Sequence, residues 1–401
     1  MAAGWSGAVD RLVRGMTAPE ATSIAGSPPQ FQPFPQDAMG ANPNHGAELL
    51  ALTNWWIEMM SSSANPLKEK LVLLLHSQFP TAYSKVNIPS LLYRQNQLFR
   101  SLGHGRFDTL MTAVSMDPAM LIWLDAGSDL KSHPNENFAR ELMERFTMGV
   151  GTYTEQDVYE AARAFTGWSL NYTTGEYQLN QGVQDLGWKT VLGHGGVLTG
   201  EQVIEIATNT HASHRWVVSR LWSWLAFPVG PHHPVVADLA PAYSENLRVG
   251  DLIKAMLLHP QFVSAEAQSG LVKQPVEYVV GALRAFHLGP ADFVPGYLMQ
   301  LLTAFGQQLF NPPNVGGWGS NQYWLSTASS LEQLRFANTL VSVADLSPVE
   351  DEPARTRVDA LGELLGIDAW SSPTAAVLKT ARGNTSELVS LALVSPEYVA
   401  N

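Results

Sequence analysis

Apolar residues return every three or four positions along most of this chain, the spacing that places them on one side of a helix. The pattern predicts helices over residues 47–61, 67–79, 89–102, 108–115, 135–148 and 154–168. It resumes over 201–209, 213–225, 235–246, 249–258, 276–286 and 297–309. Residues 171–200 break the rhythm with Gly, Thr, Tyr and Gln, and segments 176–179 and 190–192 read there as a short hairpin or an ordered loop. The expected architecture is mostly α, a large single-domain array of many helices with one irregular insertion. Residues 1–45 read as an N-terminal helix and a proline-rich arm, 46–345 as the helical core domain, and 346–401 as a C-terminal helical extension packed on it.

Local punctuation supports these boundaries. Thr154 with Asp157 three residues on resembles a capping box. Asp117-Pro118, His259-Pro260 and Ser395-Pro396 each end one amphipathic stretch, and proline suits the first position of a new helix, so all three read as helix-to-helix corners.

Composition narrows the function classes. The chain has 401 residues and a formal net charge of -12, with no basic run, which argues against nucleic acid as a partner. It has no cysteine, which excludes disulfides, thiolate catalysis and cysteine-based metal sites. No uncharged stretch is long enough, free of proline and histidine, to read as a membrane span. Residues 1–17 carry Asp10, Arg11 and Arg14 without an apolar core of signal-peptide length, so the expectation is a cytoplasmic chain as written, or an exported one if the true start lies upstream.

The densest polar chemistry lies in Asn135-Glu136-Asn137-Phe138-Ala139-Arg140-Glu141-Leu142-Met143-Glu144. Helical spacing puts Asn137, Arg140, Glu141 and Glu144 on one face, with Glu136 a turn before Arg140. Such a stripe is either a solvated face laced by ion pairs or the wall of a pocket, where paired carboxylates serve acid–base work or hold a cation. A tempting phosphate loop at Gly182-x4-Gly187-Trp188-Lys189 fails, because a tryptophan splits it and no apolar strand precedes it. Residues 311–324, with two prolines, Gly316-Gly317, Trp318 and Trp324, read as a rigid aromatic loop that either recognises a ligand or plugs the bundle.

The 135–144 block, with Gly149 to Val158, Ala161 to Trp168, Asp117-Pro118-Ala119-Met120, Lys273-Gln274-Pro275-Val276-Glu277 and the Gly306 to Trp318 stretch, resembles the domain of unknown function 1800 family from about residue 45 to the C-terminus. The resemblance implies a fold and candidate residues, but no reaction. Two family motifs depart here. Where the family pattern resembles Trp-His-x-His-Phe, this chain keeps His76 and has Gln78; where it resembles His-Asp-x-Gly-x-Lys, Gln184 precedes Asp185 and Lys189. Glutamine hydrogen-bonds well but does not titrate and ligates metals poorly.

The resulting expectation is a ligand- or partner-binding accessory protein with a partly degenerate polar site. The resemblance also suggests a sulfatase-like partner protein encoded nearby. The alternative is a hydrolase or lyase in which Glu136 and Glu141 act as acid and base, Arg140 orients substrate, and Asp185 and Lys189 come from the insertion. Asn135, Asn137, Arg163, Trp168 and Trp318 are its candidate substrate contacts. A divalent metal would draw on His76, Glu144 and His211, an expectation weakened by Gln78 and Gln184.

Overall fold

The computed structural model describes residues 2–18, 28–32, 34, 44–126 and 130–400. Most of the proline-rich arm expected over 18–45 lies outside the described residues. The fold is mostly α. The principal helices are α1 (Ala2–Thr17), α2 (His45–Ser62), α3 (Pro66–Gln78), α4 (Pro89–Leu102), α5 (Phe107–Ser115), α6 (Glu136–Glu141) and α7 (Glu155–Phe165). After the insertion come α8 (Gly200–Thr208), α9 (His211–Leu225), α10 (Pro234–Asn246), α11 (Val249–Leu258), α12 (Pro275–Ala285) and α13 (Tyr297–Ala304). The chain closes with α14 (Thr327–Val343), α15 (Arg357–Leu365), α16 (Ser372–Ala381) and α17 (Thr385–Leu393).

Side-chain caps fix many of the helix starts. Thr154 and Asp157 form the expected capping box of α7. The three corners behave alike: Asp117 accepts from the Met120 amide, His259 from the Gln261 amide, and Ser395 from the Tyr398 amide. One contiguous hydrophobic cluster runs from Val9 to Val399. In it α1 packs on α3 and α11, α9 on α10, and α14 on α17. The last helices join this cluster, where the Tyr398 hydroxyl donates to the Tyr278 carbonyl at 2.9 Å.

The insertion differs from expectation. It holds two hairpins, β1 (Trp168–Asn171) with β2 (Glu176–Leu179), and β3 (Lys189–Val191) with β4 (His194–Gly196), all antiparallel. Segments 176–179 and 190–192 therefore do not pair with each other. Each closes locally instead. Leu192 and Gly193, at φ 50° and 81°, make the two-residue turn that matches strand twist. Asn171 and Gly175 (φ 70°) close the other hairpin.

The 135–148 helix also departs from a uniform spiral. After Glu141 the backbone widens into a π turn, Leu142–Thr147, in which the Met148 amide donates to the Met143 carbonyl five residues back. Glu144 and Arg145 lie within this turn, and Arg140 on the helix before it. Arg140 and Glu144 take different partners, Glu155 and the Tyr153 hydroxyl, yet both lie near Tyr153.

Candidate functional site

The predicted polar residues fall into separate groups. Arg140 holds Glu155 through both Nη atoms, at 2.9 and 2.7 Å, and Glu136 at 3.3 Å, on the surface. Its hydrogen bonds to Glu155 stabilise the guanidinium cation and pull the Glu155 carboxyl below the usual range. Asn135 caps α6, its Oδ1 accepting from the Asn137 amide at 3.0 Å while Nδ2 donates to the Leu124 and Asp125 carbonyls. The Asn137 side chain is exposed.

A second group ties the insertion to α7. Arg163 donates to Asp185 at 2.8 Å, to Glu160 at 2.8 Å and to the Trp188 carbonyl at 3.1 Å. Lys189 is fully buried and donates to the Asp185 and Gly187 carbonyls at 2.6 and 3.0 Å. Burial lowers its ammonium pKa, and Arg163 holds the Asp185 carboxyl low. Gln184 closes the one-turn 3-10 helix just before Asp185. Trp168 is core, packed against Phe165, Phe138 and Tyr177.

His76 is buried among Trp56, Phe310 and Trp318, and its Nε2 accepts from the Phe310 amide at 3.2 Å. Burial pushes its pKa down to about 3, so the ring is neutral at physiological pH. It clasps the 306–318 loop to α3. Trp318 is buried against His76, so this loop plugs the bundle at that point. His211 is exposed at the start of α9. His76, Glu144 and His211 are not brought together, and among the described residues no group of three or more His, Asp or Glu is arranged to hold a metal ion.

Four segments distant in sequence do converge, around Gln78. A cavity of about 160 Å³ is lined by Ser77, Gln78, Glu144, Arg145, Trp216 and Arg220, together with Val150, Val315 and Gly316. Gln78 Nε2 donates to the Arg145 carbonyl at 2.7 Å, and the Trp216 indole donates to the same carbonyl at 3.0 Å. Gln78 Oε1 accepts from Arg220 Nε at 3.1 Å. The π turn supplies this carbonyl, and such turns recur at functional sites.

The charge balance here is unusual. Among the described residues Arg220 has no carboxylate within ion-pair distance, and its only hydrogen bond is the one to Gln78. It lies beside the Trp216 ring, 5.9 Å from the centroid. Burial, and then the neighbouring Arg145 cation, lower its pKa from the usual value, yet a guanidinium stays charged. Arg145 reaches Glu141 at 3.3 Å, a carboxyl whose pKa burial raises. Glu144 accepts from the Tyr153 hydroxyl at 3.1 Å, an interaction that together with burial pushes the phenol up to about 12. With Glu144 the cavity carries two cations and one anion on its wall.

Arg145, Trp216 and Arg220 were absent from the sequence-derived candidates. One signal pointed to Arg220: no Asp or Glu occurs between Glu205 and Asp238, so this helical arginine has no acid within reach along its own helix.

The fold and cavity together define an α-helical protein with a cation-lined polar pocket built by four chain segments. The chain belongs to the family described as a protein of unknown function, DUF1800, whose model matches residues 1–400, further toward the N-terminus than the motifs alone reach. No curated protein and no solved structure matches it. Among the described residues no helix is long and apolar enough to cross a membrane.

Proposed function

We propose that this protein binds a small anionic ligand in the cavity around Gln78, Arg145 and Arg220, and serves as a binding or accessory protein. The observation that carries the reading is Arg220, a partly buried guanidinium on the cavity wall with no carboxylate counter-charge among the described residues. A partly buried cation without a counter-charge favours an anion beside it, and guanidinium groups match carboxylate and oxyanion geometry in pairs of bonds. Arg145 adds a second cation at the mouth, and Trp216 and Gln78 hold the first in place.

This reading draws on Glu144 and His76's neighbour Gln78, and not on Glu136, Asp185 or Lys189, which stand outside the cavity in surface and structural clasps. A sulfatase-like partner would meet such a binding protein from outside the cavity, and co-purification of the two is its test.

The test of the cavity is thermal unfolding with formate, acetate, sulfate or phosphate against chloride at matched ionic strength. At least one anion raises the melting temperature, and Arg220→Gln and Arg145→Gln each weaken that ligand's binding about tenfold or more. Arg145→Gln is the safer variant, because Arg145 is exposed. A rise that both variants retain, or no rise with any anion, would end the proposal.

A further inference from the structure

Beside the polar cavity lies a second, apolar one. It is lined by Leu74, Phe79, Phe107, Phe146, Leu221 and Val249, and it shares Gln78, Trp216 and Arg220 with the first. The three shared side chains border both cavities, so a ligand on the Arg220 guanidinium sits beside a greasy slot. The slot has room of about 20 Å³, and one water-sized group needs about 10–15 Å³, so it takes an apolar group of about one or two carbons.

Resting on the anion-binding reading above, we propose that the ligand is a short-chain monocarboxylate, its carboxylate on Arg220 and Arg145 and its alkyl end in the slot. Two features favour this class over an inorganic oxyanion. Glu144 stands in the same polar cavity and Glu141 already partners Arg145, so the wall compensates one negative charge better than two. An inorganic anion also leaves the slot unfilled, whereas each buried methylene gains affinity. Close packing holds the shared Trp216 in place. Gly149, at φ 80°, allows the Trp216 ring to approach so closely that a Cβ there would meet it at 2.7 Å.

The experiment is titration calorimetry of the full chain with formate, acetate, propionate, butyrate, hexanoate, sulfate and phosphate. Affinity rises about fourfold per added carbon through acetate or propionate, then stops rising when the slot is full. Leu74→Ala lengthens the slot and moves the best ligand to a longer acid, with formate binding little changed. Val249→Phe fills the slot and removes the chain-length gain, again sparing formate. If Val249→Phe does not fold, the Leu74→Ala shift alone decides. A flat series in which formate, acetate and hexanoate bind alike overturns the carboxylate-with-tail assignment and leaves anion binding standing. Sulfate or phosphate binding tighter than every carboxylate does the same. Failure of every anion to bind removes both.

Discussion

Gln78 spans a donor and an acceptor with one planar amide: Oε1 accepts a hydrogen bond from Arg220 Nε, and Nε2 donates one to the Arg145 carbonyl. A neutral imidazole can do both jobs, which gives a physical account of how glutamine stands where the family pattern resembles a histidine. The two differ once protons enter. Protonated imidazole has two donors and no acceptor, so it cannot receive from Arg220. Gln78→His is therefore expected to keep the fold, and its anion affinity to change between about pH 5 and 8, where an ordinary histidine titrates. Calorimetry across that range checks it, and a pH profile identical to that of the parent chain would count against the bridge. Gln78→Ala removes both bonds and is expected to cost about 1–3 kcal/mol in urea unfolding. The sequence exposed position 78 only because it departed from a pattern. It concealed Arg145 and Arg220, because an arginine's role depends on which acids stand near it in space, and those come from other segments.

At the scale of elements, the sequence was most legible where one turn of chain decides the outcome. The predicted 89–102 and 249–258 helices match α4 and α11 end to end, and Asp117, His259 and Ser395 cap as their prolines suggest. It was least legible in the π turn, because no residue type announces an extra residue in a helix and neighbouring packing selects it. Glu144, within that turn, lines the cavity, while Arg140, before it, pairs with Glu155. The hairpins were misread for a related reason: Leu192 at positive φ is an uncommon turn residue, which hid the β3–β4 turn from inspection. Gly149 closes the π segment with a conformation that suits glycine, and its missing Cβ is where Trp216 packs. Gly149→Ala is expected to destabilise the protein by about 1–3 kcal/mol and to weaken anion binding by displacing Trp216. Unfolding and titration on the same sample test both, and unchanged binding in a destabilised variant would separate Trp216 from the ligand.

For the molecule as a whole, two buried groups set opposing pH trends. The Asp117 carboxyl is pushed up to about 7 by burial from an ordinary 3.8, and His76 is pushed down to about 3 from 6.5. Between about pH 4 and 7 the folded chain holds an extra proton on Asp117, so this group's contribution to stability falls as pH rises. Between about pH 3 and 6.5 the unfolded chain holds the extra proton on His76, so that contribution rises with pH. Asp117 Oδ1 accepts from both the Met120 amide and Gln95 Nε2, at 3.1 and 2.8 Å, and an asparagine keeps an oxygen for both. Asp117→Asn is expected to gain on the parent chain by roughly 1.4 kcal/mol per pH unit from about pH 4 to 7, then hold level. Parallel urea-unfolding profiles at pH 4.5, 6 and 8 would show that Asp117 is not the source.

The clasp between His76 and the Phe310 amide joins residues 234 positions apart. The cavity wall itself runs from Ser77 to Gly316, so most of the chain must exist before the pocket does. During synthesis, which proceeds from the N-terminus, α3 has to wait for the loop that will seat on it, its buried imidazole and apolar face uncovered meanwhile. A ribosome stalled before Gly316 would therefore carry a long helical chain with no finished pocket, and ligand could rescue folding only near the end of translation, not at its start.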